Sequence, residues 1–305
     1  MKSYRGGVFS FIKNNRLMIV LLLAAVVVCV LAVFGVIYIV EHLSAQPETI
    51  VTSDTDTGEK ISFSYGTSDN QITVDVLSDV EVNTLNNDNF TDIDGLKYYI
   101  ENGKKASFAG IDVSEFQHEI NWAAVKQSGI EFAMIRAGFR GSTEGGLFED
   151  GVVRANIEGA INNGIEVGLY FFSQATSEQE AVEEAKFLAD IADEYSVTYP
   201  LVFDWERNEE SDSRTLNITP AQVTKFASAF CKEIEKRGYT PMIYYNEYYG
   251  YMLYDLSEFK DHKMWYVQYS DTPSFYYGFD MWQYTENGQI DGIDGTVDIN
   301  VYFER

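Results

Sequence analysis

The chain has 305 residues, with 47 acidic residues against 22 lysines and arginines and a net charge of −25. That balance argues against a nucleic-acid partner, whose phosphates it would repel, and the length suits one large domain or a domain with appendages. Two cysteines and three histidines, with no H-x-x-x-H pair and no Cys/His cluster, imply neither a disulfide framework nor a metal site. Without a P-loop or a G-x-G-x-x-G run, no nucleotide site and no cofactor are signalled.

The first 16 residues carry Lys2, Arg5, Lys13 and Arg16 and no acid. Residues 17–40 then form an uncharged run of 24 residues. A helix of that length reaches roughly 36 Å, enough for a bilayer core. The expectation is a cytoplasmic tail (1–16) and a transmembrane helix (17–40) held by the lipid bilayer, with the rest on the outer face of the cell membrane. A cleaved signal peptide has a shorter apolar region, of about 7–15 residues. Leu43-Ser44-Ala45 is also a poor cleavage site. Residues 41–108 are rich in Asp, Asn, Ser and Thr and read as an extracellular spacer. It has room for one small hairpin, residues 60–65 and 71–76 around a turn at 66–70.

From residue 109 the pattern changes to strand, helix, strand. Strands are expected at 109–114, 131–137, 165–172, 199–206, 241–246, 264–269, 281–284 and 297–302. Asn121 starts a short helix that ends at Ser128-Gly129, and residues 148–163 read as another. Ser177 with Glu180 is a capping box opening a helix whose apolar stripe is Ala181, Ala185, Leu188, Ala192 and Tyr195. Thr219-Pro220 opens the next, which ends at Arg237-Gly238. Cys231 falls among its apolar residues as a small buried side chain. Repeated β-α units with short connections predict a parallel sheet. Eight strands in ~200 residues suggest a closed barrel, and the later strands lack long helices between them. The fold class is therefore α/β: an irregular (β/α)8-like barrel over 109–305, preceded by one transmembrane helix and a polar spacer.

Alternation along a strand places chemistry. In 201–206, Leu201, Phe203 and Trp205 share one face, and Val202, Asp204 and Glu206 share the other. Asp112 and Asp298 face inward on the first and last strands by the same rule, so they should meet. Barrel active sites lie at the C-terminal ends of strands, and four carboxylates would then line one mouth. Paired acids at such a mouth suit acid/base work on a sugar bond. Arg136 and Arg140 are the obvious cations that could neutralise them instead. Among 45 aromatic residues (21 Tyr, 20 Phe, 4 Trp), Tyr170, Tyr244, Trp265, Tyr269 and Trp282 are candidates for stacking on sugar faces, although core packing accounts for most rings.

The runs Ala109-Gly110-Ile111-Asp112-Val113-Ser114-Glu115-Phe116-Gln117, Asn121-Trp122, Phe132-Ala133-Met134-Ile135-Arg136-Ala137-Gly138, Gly168-Leu169-Tyr170-Phe171-Phe172, Phe203-Asp204-Trp205-Glu206, Trp282-Gln283-Tyr284 and Val297-Asp298-Ile299-Asn300 resemble glycoside hydrolase family 25, the Chalaropsis-type lysozymes or muramidases. The resemblance covers nearly all of 109–305 and none of 1–108. It implies cleavage of the β-1,4 bond between N-acetylmuramic acid and N-acetylglucosamine in peptidoglycan glycan strands. By the resemblance, Glu206 is the general acid. Asp204 stands beside it to orient the substrate or stabilise charge, and Asp112 and Asp298 match the family's other acidic positions. Gln283 and Arg136 become candidate substrate contacts. Many members carry a His in the strand that here reads Tyr170-Phe171-Phe172. On physical grounds Glu206 should have the raised pKa and Asp204 should stay ionised. A chitinase-like D-x-x-D-x-D-x-E is absent, because Pro200, Leu201 and Val202 precede Asp204. A non-catalytic wall-binding barrel is the remaining alternative.

Overall fold

The computed structural model describes residues 50–54, 58–65 and 70–304. The chain divides into two units, residues 1–48 with 63–72 and residues 49–62 with 73–305. Of the first, only 63–65 and 70–72 are among the described residues. The expected basic tail and the apolar run at 17–40 lie outside them. Among the described residues no helix is long and apolar enough to cross a membrane.

Strands β1 (Ile50–Asp54), β2 (Gly58–Ser64) and β3 (Gln71–Asp75) form a three-stranded sheet in that order. The expected hairpin thus gains a third strand, with Val51 opposite Ile61. A second antiparallel meander follows: β4 (Phe90–Ile93), β5 (Leu96–Glu101) and β6 (Lys104–Lys105). Its two turns are Asp94-Gly95 and Asn102-Gly103, with positive φ at all four residues. That is the backbone a two-residue hairpin turn of matching twist requires.

Eight strands close the barrel: β7 (Ser107–Val113), β8 (Phe132–Arg140), β10 (Glu166–Ser173), β11 (Leu201–Trp205), β12 (Pro241–Asn246), β13 (Lys263–Val267), β14 (Met281–Gly288) and β15 (Val297–Phe303). Neighbours from β7 round to β14 are parallel. The last strand, β15, runs antiparallel to both β14 and β7. The short strand β9 (Leu147–Glu149) pairs back on β8. The helix expected at 148–163 therefore starts later, after Asp150 Oδ1 accepts the Val152 N–H at 3.1 Å.

The helices are α1 (Trp122–Gln127), α2 (Val153–Asn162), α3 (Glu178–Ala192), α4 (Pro220–Lys236) and α5 (Glu247–Met252). Asn121 caps α1 by accepting from Ala124 N. At α3, Ser177 Oγ accepts from Glu180 N, but the Glu180 carboxylate turns to Thr176 N at 2.7 Å rather than closing the expected box. At α4, which starts at Thr219-Pro220 as expected, the Thr219 N–H donates to Gln222 Oε1 at 3.0 Å.

Two apolar layers result. Leu201, Phe203 and Trp205 point outward into the helix layer with Val223, Phe226 and Phe230, while Phe132, Met134, Val202, Met242, Trp265 and Met281 fill the barrel interior. Glycine makes room for the interior plugs: a Cβ on Gly110 would lie 2.3 Å from the Phe132 ring, and one on Gly168 2.5 Å from Met134.

Among the described residues, the wall around β14, β15 and β7 has no long helix, and residues read as spacer cover it instead. Leu96, Tyr98 and Tyr99 are buried in the main core. Phe90 meets Trp282 edge-on at 5.3 Å, and Tyr99 meets Phe303 at 5.8 Å. Further up, Leu77 N donates to the Tyr277 hydroxyl at 2.7 Å, and Asn83 N to the Tyr276 carbonyl at 2.8 Å. The polar composition of 41–108 concealed these anchors, because the apolar residues that carry them are few and spread between turns.

Candidate active site

Asp112 is the penultimate residue of β7 and Asp298 the second residue of β15, and they are direct register partners. The expected meeting of the two acids holds, by a route other than a parallel sheet. Because β15 is reversed, its N-terminal end joins the rim where the other strands end. Asp204 ends its run inside β11, and Glu206 follows the strand on the same side. Tyr170, Tyr244, Trp265 and Gln283 point inward from β10, β12, β13 and β14, and Arg136 from β8. All of these line one cavity of about 240 Å³ with the four acids.

Two aromatic candidates are placed differently. Trp282 faces the outer layer: it is fully buried, its indole N–H donates to the Gln268 carbonyl at 2.9 Å, and its ring meets Phe90. It is a wall residue, as strand alternation next to inward Gln283 requires, and not a sugar contact. Tyr269 stands on the rim with its hydroxyl on Gln283 Oε1 at 3.3 Å. Trp265 is only 2% exposed and forms the floor, edge-on to Tyr244 at 4.9 Å.

A polar chain sets the acids. The Trp265 indole N–H donates to Asn300 Oδ1 at 2.8 Å, and Asn300 Nδ2 donates to Asp112 Oδ2 at 2.7 Å. Gln283 Nε2 donates to the same Asp112 oxygen at 2.7 Å and to Asp298 Oδ2 at 3.4 Å. Gln283 Oε1 accepts from the Tyr244 hydroxyl at 3.0 Å. Asn300 was not singled out from the sequence, yet it sits two residues after Asp298 on the same strand, so alternation marks it as inward too. Burial, then the charge of Asp112 and the hydrogen bond to it, push Asp298 up to about 9. Burial also raises Asp112, opposed by hydrogen bonds from Asn300, Gln283 and Asp298. The pair therefore shares one proton, with Asp298 the donor and Asp112 the charged acceptor.

The second pair is drier. Asp204 is 6% exposed, and its Oδ1 has no hydrogen-bond partner among the described residues. Burial, then the charges of Glu206 and Asp112, push it well above the usual carboxylate range, with Arg136 pulling the other way. Burial raises Glu206 as well. The expectation that Glu206 alone is raised is thus corrected. Desolvation acts on both, and two neighbouring carboxyls resist sharing two charges, so the pair titrates as a unit. The backbone carbonyl of Glu206 is fixed by buried Gln174, whose Nε2 donates to it at 2.6 Å.

The cations do not quench this acidity. Arg136 Nε donates to Asp150 Oδ2 at 2.8 Å and its NH2 to Glu115 Oε1 at 3.1 Å. Arg140 is directed away from the mouth, with Nε on Glu184 Oε1 at 2.6 Å.

A barrel rim that gathers four carboxyls, each raised by burial, is the kind of site a glycoside hydrolase uses. The family model for glycosyl hydrolases family 25 matches residues 111–293, and the chain belongs to that family; its enzyme class is glycosidase. Asp298 lies just beyond the matched residues. Lysozyme M1 of Streptomyces globisporus is 30% identical over 205 residues, which are 63% of this chain and 67% of that protein. The solved bacterial lysozyme of Streptomyces coelicolor is similar at 26% identity with a TM-score of 0.53, covering 65% of this chain and 92% of that one. The modular autolysin LytC of Streptococcus pneumoniae shares the fold at 20% identity and a TM-score of 0.57, and only 58% of its chain is covered.

Proposed function

We propose that the chain is a membrane-anchored peptidoglycan hydrolase that cuts the β-1,4 bond between N-acetylmuramic acid and N-acetylglucosamine. The observation that carries this reading is the Asp204/Glu206 pair, inward at the mouth and resisting full ionisation. Glu206 is the less buried of the two and lines the cavity. It donates its proton to the glycosidic oxygen as the bond to the sugar's anomeric carbon breaks. The unpartnered Asp204 Oδ1 accepts the N–H of the substrate's acetamido group. That hydrogen bond favours the ionised form of Asp204 and leaves the shared proton on Glu206. Asp204 then holds the acetamido oxygen toward the anomeric carbon and stabilises the positive charge that develops there.

The test is clearing of a peptidoglycan suspension by the full chain, with the masses of the released sugars identifying the bond. E206Q should lose about 10²-fold or more in rate with its folded state intact. Equal clearing by both proteins would remove Glu206 from the acid role, and no clearing by the wild type would favour a wall-binding barrel. The anchor rests on the uncharged run at 17–40 with its basic flank. Recovery of the whole protein in the soluble fraction of disrupted cells would count against it.

A further inference from the structure

Glu206 stands just past the end of its strand. β11 stops at Trp205, and its last pairing is Trp205 with Ser173 of β10. The sheet ladder therefore does not fix the peptide unit that follows Glu206. Among the described residues no side chain donates a hydrogen bond to the Glu206 carboxyl. Its aim depends on how its backbone is held, and that backbone is held from two sides.

The carbonyl of Glu206 and the N–H of Arg207 are opposite edges of one planar trans unit. Gln174 Nε2 donates to the carbonyl at 2.6 Å, and the Arg207 N–H donates to the Tyr249 hydroxyl at 2.9 Å. Gln174 follows β10, whereas Tyr249 belongs to α5. One anchor would leave the unit free to turn about it, but two on opposite edges fix its plane. Both anchors are themselves held. Gln174 is 1% exposed, and its Nε2 also donates to the Ser173 carbonyl at 3.0 Å. Turning the amide over would set its oxygen against two carbonyl oxygens. Gln174 Oε1 accepts from the hydroxyl of fully buried Thr215 at 3.4 Å, and Thr215 Oγ1 accepts the Asn208 N–H at 3.0 Å. The Tyr249 N–H donates to Asn246 Oδ1 at 2.9 Å. The Arg207 guanidinium closes the same loop by donating to the carbonyls of Leu216 at 3.0 Å and Ile218 at 2.6 Å.

We propose that Gln174 and Tyr249 are positioning residues for the general acid: they clamp the Glu206–Arg207 peptide from both edges and so aim the Glu206 carboxyl into the cleft, with Thr215 orienting Gln174. The inference rests on the reading of Glu206 as the acid of a glycan hydrolase. Neither residue lines the cavity, so the clamp sets the place of the proton donor and not the hold on the substrate. Its loss should fall on kcat, because a misplacement of about 1 Å costs on the order of 10²-fold in rate.

The test uses two variants of the full chain. Q174M keeps the length of the side chain and removes its donor, and Y249F removes a single hydroxyl. Each is assayed on oligosaccharides of alternating N-acetylglucosamine and N-acetylmuramic acid, and the Glu206 carboxyl is titrated by carbon-13 NMR. Each variant should lower kcat about tenfold or more with KM held within about twofold. The Glu206 midpoint should fall by about half a pH unit or more as the released carboxyl swings toward water. The double variant should lose less than the product of the two single losses, because both act on one peptide unit. A Glu206 midpoint unmoved in both variants, or losses confined to KM, would overturn the clamp. Wild-type cleavage reports separately on the parent reading. A shifted midpoint in a chain that cleaves nothing would sink the hydrolase and leave the clamp, while cleavage with an unmoved midpoint would do the reverse.

Discussion

Asp298 shows what a shared proton does to a single residue. Its carboxyl is raised to about 9 by burial and by Asp112, against about 3.9 in an unfolded chain. The folded state therefore binds the extra proton between those values, and the stability this brings is complete below about pH 4 and is lost as pH rises through about 9. Asn at this position keeps a donor to Asp112 and cannot ionise. The melting temperature of D298N relative to wild type should thus climb between pH 4 and pH 9, while activity falls. A difference in melting temperature that is flat with pH would mean that Asp298 is not the proton holder. Asp112, Asp204, Glu206 and Asp298 were all legible as inward acids, because strand alternation is a sequence property. Their protonation was not, since desolvation depends on what the other strands bring over them.

At the scale of elements, helix α3 is pinned to the barrel by a buried ion pair. Fully buried Glu184 accepts from Arg140 Nε on β8 and from Ser173 Oγ at 2.6 Å on β10. Burial pushes Glu184 up to about 7 even so. Removing the carboxylate leaves Arg140 buried with backbone carbonyls, half-buried Glu180 at 3.8 Å and exposed Glu183 at 3.5 Å as partners. E184A should therefore lose roughly 3–5 kcal/mol of stability, read from urea unfolding. A loss under about 1 kcal/mol would show that the pair does not hold the helix. The helix itself was readable from Ser177 and its apolar stripe, whereas its partner at Arg140 was not, because the two lie 44 residues apart. The meander was in part readable and went unread: Asp94-Gly95 and Asn102-Gly103 are strong hairpin signals, overshadowed by the polar composition around them.

For the whole molecule, the consequence is that the barrel does not begin at residue 109. A chain starting at Ala109 lacks Leu96, Tyr98 and Tyr99, which are 3%, 8% and 5% exposed, and bares Trp282 and Phe303 on the outer wall. It should melt on the order of 10 °C below a chain starting at Val76, as followed by calorimetry. Equal melting temperatures would show the meander to be an accessory. The same arrangement would shorten the tether of the proposed anchor, because the later part of residues 41–108 is built into the wall.

The sequence by itself determined the eight-stranded pattern, the inward acids, the outward Trp205 and the helix starts at Asn121, Ser177 and Thr219. Each of these follows from local periodicity or local hydrogen bonding within a few residues. Only the tertiary structure decided that β15 runs backwards, that Trp282 faces the wall, that residues 90–105 cover it, and that burial raises all four carboxyls. Those outcomes depend on which strands become neighbours and how much water the closed barrel excludes, and neither quantity exists until the chain has folded.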